Sequence, residues 1–177
     1  MEFESKILSK EILYRLYETG KTIATAESCT SGRIGEVITS TPGASAYYKG
    51  GTICYSDEAK TKVLGIDADL IAEKNAVSEE VAIEMVKGVT KLLGTDFAIA
   101  TTGYAGPGAS AGIPVGTIWI ACGTSDDIHT LKLEGDEGRD ENLRNATHRA
   151  LQFFVNYLRE LFPEPADMDQ VPKPEAK

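Results

Sequence analysis

Residues Thr22-Ile23-Ala24-Thr25-Ala26-Glu27-Ser28-Cys29-Thr30-Ser31-Gly32 decide the fold. The first five are apolar and Thr-rich, a composition that suits a strand. The residues that follow, Arg33-Ile34-Gly35-Glu36-Val37-Ile38, have helical spacing, and the pattern predicts a helix from about residue 30 to 39. Ser28 therefore stands where a strand gives way to a helix. At such junctions an α/β protein can expose a nucleophile beside helix N–H groups that lack intrahelical partners and attract negative charge. Ser and Thr also cap helices routinely, so the same residues also read as a plain cap.

Upstream, residues 4–18 carry the apolar rhythm of an amphipathic helix, and Gly20 stops it. Downstream, Pro42-Gly43-Ala44-Ser45 is a turn. Residues 47–55 read as a strand interrupted by Gly50-Gly51. Ser56 caps a short helix through residue 63, with Asp57 and Glu58 favourably placed in its first turn. A second short helix spans 67–74, and a longer one runs from Ser78 to Leu93, closed by Gly94. Residues 97–101 form an apolar run of the kind that makes a buried strand. A loop of small residues, 103–112, separates it from strands at 115–122 and 128–133, and a last helix covers 140–161. Crossovers give parallel pairs and the late hairpin gives antiparallel ones. The expected fold class is α/β: a three-layer α/β/α sandwich with a mixed sheet. One domain over 1–162 is expected, followed by a Pro- and acid-rich disordered tail over 163–177.

The charge balance narrows the partners. A net charge of −9, with Lys and Arg scattered among acids, disfavours nucleic-acid binding. No apolar run is long enough to span a bilayer, and Met1-Glu2-Phe3-Glu4-Ser5-Lys6 lacks the features of a signal peptide, so a cytoplasmic protein without membrane partners is expected. Cys29, Cys54 and Cys122 form no CxxC pair, which points to reduced core thiols rather than a zinc or redox site. His129 and His148 are the only histidines and have no metal-ligand spacing; a Ser-His-Asp triad would have to use one of them.

Three constellations carry chemistry. Tyr55 ends a strand and Lys60 lies one turn into the next helix. A desolvated Lys can lose its proton near neutral pH and act as base toward a serine hydroxyl, with Tyr relaying the proton. The alternative is a solvated helix lysine and an ordinary strand-end tyrosine. The glycine loop 103–112, with Thr101 and Thr102 before it, lies at the C-terminal end of a strand, the ligand-binding edge of α/β sheets. It is neither GxGxxG nor a P-loop. Arg139 and Arg144 can grip phosphate or carboxylate, or simply pair with Asp136, Glu137, Asp140 and Glu141. Glu27, beside Ser28, reads as a buried acid or as an ordinary surface group.

Together these segments resemble one family. Thr25-Ala26-Glu27-Ser28-Cys29-Thr30-Ser31-Gly32 is similar to its T-A-E-S-C-T-G-G, and Gly51 through Tyr55-Ser56-Asp57-Glu58-Ala59-Lys60 to its G-x-x-x-Y-S-N-E-A-K. Pro42-Gly43-Ala44-Ser45, Ala76-Val77-Ser78-Glu79-Glu80-Val81-Ala82, Gly103-Tyr104-Ala105-Gly106-Pro107 and Pro114-Val115-Gly116-Thr117-Ile118-Trp119 match four further motifs in order. The chain resembles the CinA (competence-damage-inducible) C-terminal domain family, over about residues 8–161, and in particular its stand-alone nicotinamide mononucleotide deamidases.

The resemblance implies hydrolysis of the carboxamide of nicotinamide mononucleotide to nicotinate mononucleotide and ammonia, without metal or other cofactor. It implies Ser28, Tyr55 and Lys60 as the catalytic residues. Around them Glu27, Thr30, Ser31, Gly32, Thr102, Gly103, Ala105, Gly106 and Arg139 are the expected substrate-binding set for a small-molecule substrate, and the resemblance implies a homo-oligomer. A non-catalytic nucleotide-binding or regulatory module of the same family is the alternative. Ser31, Tyr104 and Ile113 depart from the family's usual Gly, Ile and Lys.

Overall fold

The computed structural model describes residues 2–108 and 110–163; the tail expected to be disordered falls, from residue 164 on, outside the described residues. The elements follow in the order α1 (Glu2–Thr19), β1 (Ile23–Glu27), α2 (Arg33–Thr39), β2 (Tyr48–Ile53), α3 (Asp57–Leu64), α4 (Ala68–Lys74), α5 (Glu79–Leu93), β3 (Phe97–Gly103), β4 (Ile118–Gly123), β5 (Ile128–Leu133) and α6 (Arg139–Leu161). The five strands form one sheet in the order β2-β1-β3-β4-β5. β1 is parallel to both β2 and β3, and the β3-β4-β5 meander is antiparallel.

Helices cover both faces, because the central strands are apolar on both. Ile23, Phe97 and Ile99 point into one core with Leu16, Ile34 and Phe154, the layer of α1, α2 and α6. Ala24, Ala26, Ala98 and Ala100 point into the other with Leu64, Ile71, Met85 and Val86, the layer of α3, α4 and α5. Side chains alternate along a strand, so odd positions of β1 and β3 face the first layer and even positions the second. Small alanines on the even face let α5 sit close to the sheet.

The caps are those the residue types dictate. Ser56 Oγ accepts from the Ala59 amide at 3.1 Å, and Ser78 Oγ from the Val81 amide at 3.3 Å. Gly65 (φ 72°) and Gly94 (φ 63°) end α3 and α5 in the left-handed region.

β2 ends at Ile53, two residues before Tyr55, and β3 runs on to Gly103; two boundaries differ from the sequence pattern by three residues. α2 begins at Arg33 rather than near residue 30, because Ser31 (φ 51°) and Gly32 (φ 93°) are left-handed and cannot propagate a right-handed helix. β4 begins at Ile118 rather than 115. Gly116 (φ 85°) turns there, so close to Gly135 that a Cβ would lie 1.8 Å from its carbonyl oxygen. The apolar run before it is a turn packed under another backbone segment.

Candidate active site

Ser28 directly follows β1 and is 7% exposed. Its amide donates to the Thr101 carbonyl at 3.0 Å, extending the β1–β3 ladder by one residue and fixing the Ser28 backbone. Ser28 has even parity and faces the α3–α5 layer. On that side lies a cavity of about 320 Å³, walled by Ser28, Tyr55, Lys60, Asn75, Thr102 and Arg139 and by the glycine-rich segment 103–108.

Lys60 enters it from α3. Its side chain is 2% exposed, and Nζ sits 3.1 Å from Ser28 Oγ and 3.1 Å from the Cys54 carbonyl oxygen. No carboxylate is hydrogen-bonded to it among the described residues. Burial pushes the lysine's pKa down; Asp57 and the thiols of Cys54 and Cys29 pull it only partly back. When neutral, the amine keeps one N–H on the Cys54 carbonyl and turns its lone pair to the Ser28 hydroxyl. The alternative of a solvated helix lysine does not describe this residue. Cys29 also touches the cavity, but burial raises its thiol to about 12, so the thiolate is not available near neutral pH.

Glu27, one residue before Ser28, faces the opposite side of the sheet and does not wall the cavity. Its carboxylate is 1% exposed. Oε2 accepts from Thr30 Oγ1 at 2.7 Å and from the amides of Gly32 and Ile34 at 2.9 and 3.1 Å; Oε1 accepts from Gly35 at 2.9 Å. The helix N–H groups expected to meet an anionic ligand are thus occupied by the protein's own acid. Thr101 Oγ1, 2.7 Å from Thr30 Oγ1, completes the brace. Thr30, Ser31 and Gly32 belong to this brace and its turn, and none of them walls the cavity. The amides of Cys29 and Thr30 donate to no oxygen among the described residues. Both lie near the Cys29 sulfur, and of the two residues Cys29 walls the cavity.

Thr102, Gly103, Ala105, Gly106 and Arg139 do wall the cavity. Thr102 donates its hydroxyl to the Ala76 carbonyl at 2.7 Å, tying β3 to the segment before α5. Arg139, the first residue of α6, donates to the Gly106 carbonyl at 2.5 Å and to Tyr55 Oη at 3.3 Å. Tyr55 is 59% exposed at the rim, and its hydroxyl is engaged by Arg139 rather than by Lys60.

Asn75 was not singled out in the sequence. It has φ 73°, its Oδ1 accepts from the Val77 amide at 2.9 Å, and Tyr104 Oη lies 3.4 Å from that oxygen. The usable signal was an Asn directly after a helix, a residue type that tolerates left-handed backbone. The histidines are elsewhere. His129 pairs with Asp127 at 3.3 Å, and His148 Nδ1 lies 3.3 Å from Ser5 Oγ, so neither serves Ser28.

An α/β chain with a buried lysine on a strand-end serine, at the carboxyl edge of its parallel strands, defines the class: a protein with a serine–lysine cleft. The chain belongs to the CinA C-terminal domain family, whose model matches residues 5–158. It is 41% identical over 147 residues to the nicotinamide-nucleotide amidohydrolase PncC of Escherichia coli K12, covering 82% of this chain and 89% of that protein. A putative competence-damage inducible protein of Halothermothrix orenii is 42% identical over 154 residues; the chain spans only 37% of its length. The crystal structure of a CinA superfamily protein from Klebsiella pneumoniae 700603 superposes with a TM-score of 0.84 at 32% identity, over 88% of this chain and 98% of that one. Among the described residues no helix is long and apolar enough to cross a membrane.

Proposed function

We propose that this chain is an amidohydrolase that converts nicotinamide mononucleotide to nicotinate mononucleotide and ammonia through an acyl-enzyme on Ser28. The observation that carries the reading is the 3.1 Å approach to Ser28 Oγ of a buried Lys60 amine that is hydrogen-bonded to no carboxylate among the described residues. The name of the Escherichia coli relative supplies the substrate class.

Ser28 Oγ attacks the carboxamide carbon while its proton passes to Lys60 Nζ. The carbonyl oxygen becomes an oxyanion beside the Cys29 and Thr30 amides; one such donor is typically worth about 3–4 kcal/mol in the transition state. Lys60 then protonates the departing nitrogen, ammonia leaves and a Ser28 ester remains. Water attacks that ester, Lys60 takes the water's proton and returns it to Ser28 Oγ, and the carboxylate is released. The chemistry is complete with two side chains and backbone donors. In this reading Tyr55 and Arg139, at the rim, hold the far end of the nucleotide, where its phosphate carries the charge that a guanidinium grips.

Ammonia release from nicotinamide mononucleotide tests it. Ser28→Ala and Lys60→Ala are expected to lose turnover while remaining folded, and Arg139→Ala to raise KM for the mononucleotide more than for the unphosphorylated riboside. Turnover near the wild-type rate in either of the first two variants overturns the assignment.

A further inference from the structure

We propose that the cleft between α1, α2 and α6, on the face of the sheet opposite the Ser28 cavity, is a second anion site. It takes a small organic phosphate or an inorganic phosphate.

The cleft has a volume of about 300 Å³, the low end for small-ligand sites. Its walls include Lys6, Arg33 and Arg144 against one acid, Glu36, with Ser40 and Thr147 as hydroxyl donors. Among the lining residues the cations outnumber the acids, in a chain whose net charge is −9, and the two guanidiniums of Arg33 and Arg144 concentrate positive charge there. The Arg33 guanidinium makes no ion pair among the described residues. Its NH1 donates to the Thr30 carbonyl at 3.1 Å, and its other N–H groups are left to solvent or a ligand. Arg144 pairs at 2.8 Å with Glu141, three residues earlier on the same helix, and both are solvent-accessible. Such pairs contribute about 0–1 kcal/mol, so Arg144 can turn to an incoming anion at little cost. A guanidinium from α2 and another from α6 then face one ligand, the arrangement that suits the several oxygens of a phosphate.

The site is also wired to the nucleophile's turn. Arg33 donates to the carbonyl of Thr30, the second residue after Ser28, whose hydroxyl in turn donates to Glu27. A phosphate gripped by Arg33 fixes the side chain that anchors Thr30. It thereby stiffens the segment that presents the Cys29 and Thr30 amides.

The experiment is a titration of inorganic phosphate, and separately of ribose 5-phosphate, into ¹⁵N-labelled protein at low ionic strength. Saturable amide shifts are expected at residues 5–6, 33–40 and 144–147. Arg33→Ala and Arg144→Ala are each expected to weaken these shifts about tenfold or more, the loss expected for a charge-assisted contact. Arg139→Ala leaves them unchanged. Glu36→Gln tightens binding severalfold by removing the acid among the lining residues; as a gain, it does not arise from misfolding. Stronger shifts with the sugar phosphate identify an organic phosphate as the ligand, and equal ones inorganic phosphate. Shifts confined to residues 102–108 and 139, no saturable shift, or wild-type binding by both arginine variants overturns the proposal. The readout is binding alone, so it stands or falls apart from the amidohydrolase reading.

Discussion

Replacing Glu27 by Gln keeps the shape of the side chain and removes its charge and one acceptor. In the wild type, one carboxylate oxygen accepts three hydrogen bonds and the other accepts one, all within 3.1 Å, at a site 1% exposed. A glutamine has a single acceptor. With its oxygen kept on the three-donor side, its NH₂ faces the Gly35 N–H, and two donors meet. The remaining three bonds lose their charge assistance, and one buried amide is left unsatisfied. Charge-assisted bonds contribute about 1.5–3 kcal/mol each and an orphaned buried donor costs about 1–3 kcal/mol, so a net loss of about 3 kcal/mol is expected. Urea unfolding measures it, with the exposed Glu58→Gln as control, expected within about 0.5 kcal/mol of wild type. In the ammonia assay Glu27→Gln lowers kcat more than KM, because the brace sets the turn that follows Ser28 and does not wall the cavity. A Glu27→Gln protein as stable as the control refutes the brace.

Lys60→Met is expected to lower ammonia release by about 10²–10⁴-fold, the usual share of a positioned base. The same change makes stability report on the amine. Burial lowers the Lys60 pKa below its ordinary 10.5, so between the folded value and 10.5 the unfolded chain binds more protons than the folded one. Wild-type stability relative to Lys60→Met therefore rises with pH across that window, and the burial penalty is fully present below it; a pH-independent difference in urea midpoints contradicts this. Ser31→Gly removes a side chain from φ 51°. Relief of about 1–2 kcal/mol of left-handed strain against about 0.4–1 kcal/mol of added unfolded-state entropy leaves a gain of about 0.5 kcal/mol, read as a rise in Tm.

The order of elements was legible because each has local punctuation: a serine before α3 and α5, a glycine after them, and an apolar run at β3. The strand-to-helix junction at Ser28 was legible for the same reason. Glu27 shows what was not. Its place away from the cavity follows from strand alternation, since Glu27 and Ser28 are adjacent and face opposite layers, yet sequence proximity and motif membership grouped them in one site. The start of α2 was hidden because Ser31 carries no sign of a left-handed backbone, whereas the family's usual glycine there does. The hydrogen bond from Arg139 to Tyr55 joins residues 84 positions apart, and no local pattern encodes a pairing set by tertiary packing. Thr102 was grouped with the glycine loop, but its bond to Ala76 depends on how closely α5 approaches the sheet.

Arg139, at the head of α6, closes the rim by reaching Gly106 and Tyr55. The rest of that helix buries Leu143, Phe154 and Leu158 in the core shared with α1 and the sheet. During synthesis, then, Ser28 and Lys60 leave the ribosome well before Arg139, and the segment that finishes the rim is the same one that fills the core. The cavity is closed on this side only when α6 docks, so its last wall and the completed core come into being in one event.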